Sequence, residues 1–250
     1  MVRSGLVFQT YQAIKMKILL WNCCNGIGRP EQIDYFNSFE CDIAIVPEMK
    51  EKNISAFSSC DSVWVTNNHK NPAPKGLGVL AFNGWKIKEL PRDEEMEIFI
   101  PLEMSKDGFK FNLLAVWNFY YACKQGRYKG NYGLEEDAIK HYRPLFQDSV
   151  LICGDWNYGP TFATKEFKEL GALMAKDEIT SLYHKHENLP LDSTNHHTFK
   201  TTRKNFHHID HMFGSKLFSD NITNYYIDSF ENVILSDHAP SLLELHIPKL

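Results

Sequence analysis

The chain has 250 residues, of which 43% are hydrophobic and 13% aromatic, so it can bury a sizeable core. A formal net charge of −4 excludes a basic field over the whole surface, so any contact with nucleic acid must come from a local patch. No apolar run approaches the length of a membrane span, and the six cysteines form no CxxC pair, which predicts a cytoplasmic protein with free thiols.

The N-terminal segment 1–15 has no long apolar region and no small-residue cleavage site, so it is a poor signal peptide. It also lacks a periodic apolar pattern and is predicted to be an appendage, disordered or loosely attached. The remaining residues, 16–250, contain no internal repeat and no linker rich in Pro, Gly or Ser. We therefore expect one domain, and nothing in the sequence indicates a state other than a monomer.

Short apolar runs bounded by turn residues predict strands along most of this domain. In chain order the strands are predicted at 17–22, 41–48, 62–66, 78–82, 111–117, 149–155, 208–215 and 241–247. Helical periodicity appears at 29–39, 133–146 and 164–173, and Pro30 stands where the first residue of a helix would be. Many strands with few helices predict an α/β domain with two packed sheets covered by helices.

Four of the apolar runs end in, or lead into, polar side chains that can bind a cation or a phosphate. These side chains are Asn22, Glu48, Asp155 with Asn157, and Asp237 with His238. A single polar strand end is ordinary, but four such ends converging would form an oxygen-rich site suited to a hard cation such as Mg²⁺.

The stretch "LICGDWNYGP" allows two interpretations of its acid and amide. If strand geometry continues to the end, Asp155 and Asn157 point to the same face, because side chains alternate along a strand. Alternatively, the two residues form an Asx-type turn at a solvated strand end.

The motifs "LLWNCCNG", "IVPEMK", "GLGVLAF", "GDWNYGP", "HHIDHMFGS" and "LSDHAP" occur in an order and spacing that are similar to a known family. The chain resembles the endonuclease/exonuclease/phosphatase superfamily, which includes exonuclease III and DNase I, over residues 16–250. The resemblance implies a four-layer α/β sandwich, in which two mixed β-sheets pack face to face and are flanked by helices.

The resemblance also implies a metal site and a catalytic set. Glu48 would hold Mg²⁺ or Mn²⁺, with Asn22 helping directly or from behind, and Asp237 would lie near the ion. Asp155 would activate the attacking water, Asn157 would bond a phosphate oxygen and His238 would stabilise developing negative charge, oriented by Asp210; these four residues are the predicted catalytic set.

Two positions depart from the family. His208 stands where many relatives have Arg before "IDH", and Asn118 follows the strand "FNLLAVW", where many have His or Tyr. We expect both to contact substrate, with Asn118 as a replacement donor. The alternative donors are the nearby phenols of Tyr120, Tyr121, Tyr128 and Tyr132.

Two segments combine basic and aromatic residues, as expected for contact with a phosphodiester backbone and its bases. Segment 118–133 contributes Lys124, Arg127 and Lys129, and segment 196–208 contributes Arg203. The alternative is that both are solvated loops. The histidines of the second segment, with His184, allow a zinc site, although their spacing fits no common zinc motif.

Together these features predict a metal-dependent nuclease acting on DNA or RNA. A phosphatase or phosphodiesterase of a small soluble or lipid phosphate ester is the alternative, because the same catalytic groups serve both. An inactive binding module is the third possibility, and the complete catalytic set argues against it.

Overall fold

The structure, a computed structural model, describes residues 13–24, 26–57, 59–66, 74–94, 96, 99–118, 134–147 and 149–248. Its strands are β1 Ile14–Leu20, β2 Ile43–Lys50, β3 Asp61–Val65, β4 Lys75–Ala81, β5 Lys86–Glu89, β6 Phe99–Lys106, β7 Phe109–Trp117, β8 Val150–Asp155, β9 Thr180–Ser181, β10 Phe199–Lys200, β11 Phe206–His207, β12 Asp210–Gly214, β13 Ile222–Ile227 and β14 Ser241–Ile247. Its α-helices are α1 Pro30–Asn37, α2 Leu134–Tyr142, α3 Thr164–Ala175, α4 Leu182–Glu187 and α5 Lys216–Ser219, and 3₁₀ helices span Glu51–Ala56 and Arg143–Gln147.

The strands form two six-stranded sheets and one short ribbon. The first sheet has the order β13-β14-β1-β2-β4-β3 and the second the order β5-β6-β7-β8-β12-β9, while β10 pairs with β11. Both sheets are mixed, because β1 and β2 are parallel in one, as are β7 and β8 in the other, among antiparallel neighbours.

The central core lies between the two sheets. Ile18 and Ile45 of the first sheet and Leu113 and Cys153 of the second belong to one cluster of fully buried side chains. Alternate residues point away from this core, as the two-residue period of a strand requires. Burial of apolar area between the sheets is therefore the main stabilising contribution to the fold.

Helices cover the outer face of each sheet. Leu19 on the outside of the first sheet packs in a cluster with Phe36 of α1. Ile152 on the outside of the second packs with Ala138 of α2 and Leu170 of α3. The order helix, sheet, sheet, helix confirms the predicted four-layer α/β sandwich.

The N-terminal boundary lies earlier than predicted. Strand β1 begins at Ile14, which pairs with Ile247 of β14, and Lys15 pairs with His246. Ile14 also packs against the central core. Residues 14 and 15 therefore belong to the first sheet, and the prediction that the appendage extends to residue 15 is wrong for these two positions.

The described helices include none that is long and apolar enough to cross a bilayer. The five described cysteines (Cys23, Cys24, Cys41, Cys60 and Cys153) are free thiols, as the sequence predicts.

Candidate active site

The polar strand ends converge at one edge of the two sheets. Asn22 follows β1, Glu48 lies near the end of the parallel strand β2, and Asp155 ends β8. Asp210 begins β12 and is the register partner of Asp155 in the antiparallel pair. His238 lies in the segment before β14 and bridges to Phe199 of the β10–β11 ribbon. Sheet register thus brings together residues far apart in sequence.

Asn22 connects two carboxylates through its side-chain amide. Its Oδ1 atom accepts a hydrogen bond from the Cys24 backbone N–H at 3.1 Å, which fixes the orientation of the amide. Its Nδ2 atom donates to Asp155 Oδ2 at 3.0 Å and lies 3.5 Å from Glu48 Oε1. Because the amide nitrogen faces the carboxylates, Asn22 orients them here and its oxygen is not available as a direct metal ligand.

Glu48 sits on a β-bulge in β2. The register between β2 and β4 shifts between Val46 and Met49, and Glu48 adopts a left-handed φ of 61°. Its Oε2 atom accepts a hydrogen bond from the ammonium of Lys75. The bulge explains how a residue of a buried strand presents a half-exposed carboxylate, since bulges redirect side chains at strand ends.

Asp155 is buried at the end of β8. A Cβ atom at Gly154 would lie 1.8 Å from the Val116 carbonyl oxygen, so the glycine permits the close approach of β7 that precedes the acid. Burial raises the pKa of Asp155 to about 7, and the charge of Asp210 adds to this, while His238 and Asn22 oppose it. A carboxyl group with a pKa near neutrality can exchange a proton near pH 7.

Asn157 does not continue the strand. Strand β8 ends at Asp155, and Asn157 has a left-handed φ of 56°. Its backbone N–H donates to Asp155 Oδ1 at 2.9 Å, and its side-chain amide donates to the Asn118 carbonyl oxygen. The interpretation with both side chains on one strand face is therefore wrong, and the Asx-type turn describes the backbone.

Asp210 and His238 form a buried pair. His238 Nδ1 lies 2.8 Å from Asp210 Oδ2, and the two residues are 5% and 1% exposed. Burial opposes protonation of His238, but the charge and hydrogen bond of Asp210 outweigh it and raise the pKa of the imidazole to about 9. At neutral pH the pair is a carboxylate holding an imidazolium.

Backbone contacts hold this pair in place. The Trp21 indole N–H donates to the His238 carbonyl oxygen at 3.0 Å. Thr198 Oγ1 accepts from the backbone N–H of Asp210 at 3.1 Å, and the Phe199 ring lies 4.7 Å from the His238 ring. Sequence reasoning missed Trp21, Thr198 and Phe199, because nothing in their local sequence marks contacts made across the fold.

The chemistry of the donor groups fits a hard divalent cation. Ligand atoms of Asp155, Asp210 and His238 lie within 4.8 Å of one another. Asp210 Oδ1 is buried without a hydrogen-bond partner in the part of the chain that the structure describes. The Glu48 carboxylate next to this group already holds a cation, the ammonium of Lys75. Oxygen donors of this kind match Mg²⁺ or Mn²⁺.

Asp237 lies at the exposed rim of the site. Its backbone oxygen accepts from Lys200 N–H at 2.8 Å, which joins the segment before β14 to the β10–β11 ribbon. Burial raises the pKa of the neighbouring Cys24, and the charges of Asp237 and Glu48 raise it further. Asp237 is therefore close to the predicted metal site but more exposed than the other carboxylates.

Two predicted substrate contacts point into the protein. Asn118 is 1% exposed, and its amide donates to Glu135 and to the Trp156 carbonyl oxygen. His208 is fully buried, and its Nδ1 atom lies 3.1 Å from Thr194 Oγ1. Neither side chain is presented to a ligand, because each is covered by tertiary packing that the sequence does not reveal.

The remaining predicted contacts differ in position. Arg203 is exposed in the turn between β10 and β11. Lys124, Arg127 and Lys129 lie outside the described residues, as do the four tyrosines considered as alternative donors.

The zinc alternative has no support among the described histidines. His184 bonds Ser181 Oγ at 2.7 Å and the Ser193 carbonyl oxygen at 3.1 Å. Within the described ranges, the cluster at Asp155 is the single group of three or more potential ligands close enough to share an ion.

Solved structures of several nucleases are similar to this chain along most of its length. The AP endonuclease LMAP from Leishmania major is 13% identical with a TM-score of 0.72, over 94% of this chain and 88% of that one. The endonuclease domain of TRAS1, a telomere-specific non-LTR retrotransposon, is 13% identical with a TM-score of 0.67, over 94% and 100%.

A third similar structure carries two activities in its descriptions. The 3′-5′ exonuclease NExo from Neisseria meningitidis is 14% identical with a TM-score of 0.61, over 92% of this chain and 100% of that one. A second structure describes NExo as a 3′ phosphatase bound to a product DNA hairpin. No protein-family model and no curated protein matches the chain. The resemblance in the motifs is thus confirmed at the level of the fold, and the chain has the DNase I-like fold of the endonuclease/exonuclease/phosphatase superfamily.

Proposed function

We propose that the chain is a divalent-metal-dependent phosphodiesterase that cleaves nucleic acid by in-line attack of an activated water. The observation that carries the proposal is the convergence of Glu48, Asp155 and the Asp210–His238 pair at one edge of the sandwich. Four ionisable groups at this spacing, three of them buried, cost stability that a purely structural role would not require.

The proposed roles follow from charge and hydrogen bonding. Asp155, with a pKa near neutrality, accepts a proton from the attacking water. His238, held as an imidazolium by Asp210, donates to an oxygen that gains negative charge in the transition state. When bound, Mg²⁺ or Mn²⁺ would be held by Glu48, oriented by Asn22, and would neutralise charge on the phosphate oxygens.

A polynucleotide substrate is favoured by the surface next to the site. Lys200 and Arg203 lie on the β10–β11 ribbon, and the Lys200 ammonium is 5.6 Å from the Phe206 ring centroid. Phe206 is 40% exposed, so a base could stack on it while the cations contact phosphates. The ribbon reaches the site directly through the bridge between Phe199 and His238.

A phosphatase acting on phosphomonoesters is the second candidate. It is favoured by NExo, a protein of the same fold whose structures are described both as an exonuclease and as a 3′ phosphatase. The catalytic groups would serve either reaction, and the leaving group alone distinguishes the two.

The test is a substrate screen with and without metal. Plasmid, single-stranded DNA, RNA, a 3′-phosphorylated oligonucleotide and small phosphate esters would be incubated with EDTA, Mg²⁺ or Mn²⁺. We expect internal or terminal phosphodiester cleavage that EDTA abolishes and either cation restores. Release of inorganic phosphate alone, with intact polynucleotide, would favour the second candidate.

A matched pair of variants links the activity to this site. Glu48→Gln should lower the rate by at least about a hundredfold, because it removes a charged metal ligand. Glu51→Gln, an exposed acid in the following 3₁₀ helix, should keep the wild-type rate. Equal activity of Glu48→Gln and wild type, with matching circular dichroism spectra, would refute the proposed site.

A further inference from the structure

Lys75 contacts the carboxylate that the proposed function assigns to the metal. It is the first residue of β4, and its register partner is Lys50 of β2. The next register pair, Met49 with Gly76, comes directly after the bulge that carries Glu48. The Lys75 ammonium bonds Glu48 Oε2, on the other oxygen from the one that faces Asn22.

The backbone at Lys75 is held closely by its neighbours. A Cβ atom at Gly76 would lie 2.3 Å from the Val65 carbonyl oxygen and 2.5 Å from the Trp64 ring. The Trp64 indole N–H in turn donates to the Met49 carbonyl oxygen at 2.9 Å. The backbone from which the Lys75 side chain extends is thus fixed relative to β2, beside Glu48.

The side chains of this pair remain accessible to ions. The Lys75 side chain is 35% exposed and the Glu48 side chain 22% exposed. An ammonium on a four-carbon stem can leave the carboxylate without moving the backbone. A divalent cation that binds Glu48 would repel the ammonium, because both are positive and would lie within a few ångströms of each other.

We propose that Lys75 and the divalent cation compete for the Glu48 carboxylate, so that Lys75 sets the affinity of the site for metal. This inference rests on the proposed function, which places the cation at Glu48. Without metal, Lys75 neutralises Glu48; with metal, the ammonium is displaced toward solvent at the rim of the site. Lys75 is in this sense a positioning residue for Glu48 and not a catalytic residue.

The test is equilibrium binding of Mn²⁺ to the full chain, measured by calorimetry at one pH and ionic strength. Lys75→Met keeps the apolar stem and removes the competing charge, so it should bind Mn²⁺ about tenfold more tightly than wild type. Lys75→Arg keeps the charge and adds a second donor, so it should bind no more tightly than wild type. Lys50→Met, the same charge change at the register partner, should stay within about twofold of wild type.

Thermal melting gives a second readout. Without metal, Lys75→Met should melt below wild type because Glu48 has lost its counterion, and saturating Mn²⁺ should remove most of the difference. If Lys75→Met does not fold without metal, Lys75→Arg alone decides, because tighter Mn²⁺ binding by this variant contradicts the competition.

Failure of this inference is distinguishable from failure of the proposed function. Unchanged or weaker Mn²⁺ binding by Lys75→Met, with binding lost in Glu48→Gln, would overturn the competition and leave the metal site standing. Unchanged Mn²⁺ binding by Glu48→Gln would overturn both, because the cation would then lie elsewhere.

Discussion

The imidazole of His238 is in surroundings with two opposing effects on its protonation. Burial favours the neutral ring, while the Asp210 carboxylate at 2.8 Å favours the imidazolium and prevails, raising the pKa to about 9. If the imidazolium is the active form, kcat should fall on the alkaline side as pH rises through about 9, where the ring loses its proton.

Asp210→Asn tests this assignment. It keeps the shape of the side chain but removes the charge, so the His238 pKa should fall and the alkaline limb of the kcat profile should move at least about one unit to lower pH. His238→Ala should cost more, and the double variant should be little worse, because residues acting as a unit are non-additive. Asp220→Asn, an exposed acid on the far side of α5, is the control. Additive losses would separate the two residues.

His208 lies among other buried rings, 4.7 Å from His211 and 4.3 Å from Tyr183. Burial, with the charge of His184 adding to it, lowers its pKa to about 3, so the ring is neutral at pH 7. His208→Arg, which restores the charge common in relatives, should therefore destabilise the fold by at least about 3 kcal/mol. His208→Phe keeps the ring packing and should cost less. Urea unfolding measures both, and a stable Arg variant would mean that this segment can open toward the site.

Secondary structure was predictable where one residue pattern dominates a segment. The cores of β1, β2, β8 and β14 are near-continuous apolar runs, as expected for strands buried on both faces. Strand β6 was missed because Pro101 interrupts its run. Its carbonyl oxygen accepts from Leu90 just beyond β5, so the missing N–H lies past the end of that strand and breaks no ladder bond.

The candidate site was predictable only where strand ends carry it. Asn22, Glu48, Asp155 and His238 stand after apolar runs, so their convergence could be inferred before the register was known. The contact between Lys75 and Glu48 depends on a bulge in β2, which no local pattern indicates. Likewise, burial of Asn118 results from contacts with Glu135 and Trp156, on other elements.

The start of β1 gives a prediction at the level of the element. A chain beginning at Met16 lacks Ile14, which pairs with Ile247 and packs on the central core. We expect it to be about 1 kcal/mol less stable than a chain beginning at Ala13, and to melt about 2–4 °C lower. Equal melting temperatures for the two chains would show that this end of β1 is frayed in solution.

For the whole molecule, a net charge of −4 must be reconciled with binding to a polyanion. The exposed cations Arg203 and Lys204, on the turn between β10 and β11, provide a local basic surface that reaches the site through Phe199 and His238. Long-range attraction over the rest of the surface is weak or repulsive. Affinity for DNA should therefore come from a few phosphate contacts, with a shallow dependence on salt.

Neutralising this turn gives the corresponding prediction. The double variant Arg203→Gln, Lys204→Gln should weaken binding to single-stranded DNA and reduce the slope of log K against log salt by about one to two, since each lost phosphate contact removes just under one unit. Lys86→Gln with Lys88→Gln is the matched control, because it removes the same charge from β5, three strands away from β8. Cleavage of a small phosphodiester should be unaffected by either double variant. If both double variants reduce the slope equally, net charge and not the β10–β11 turn governs the interaction with nucleic acid.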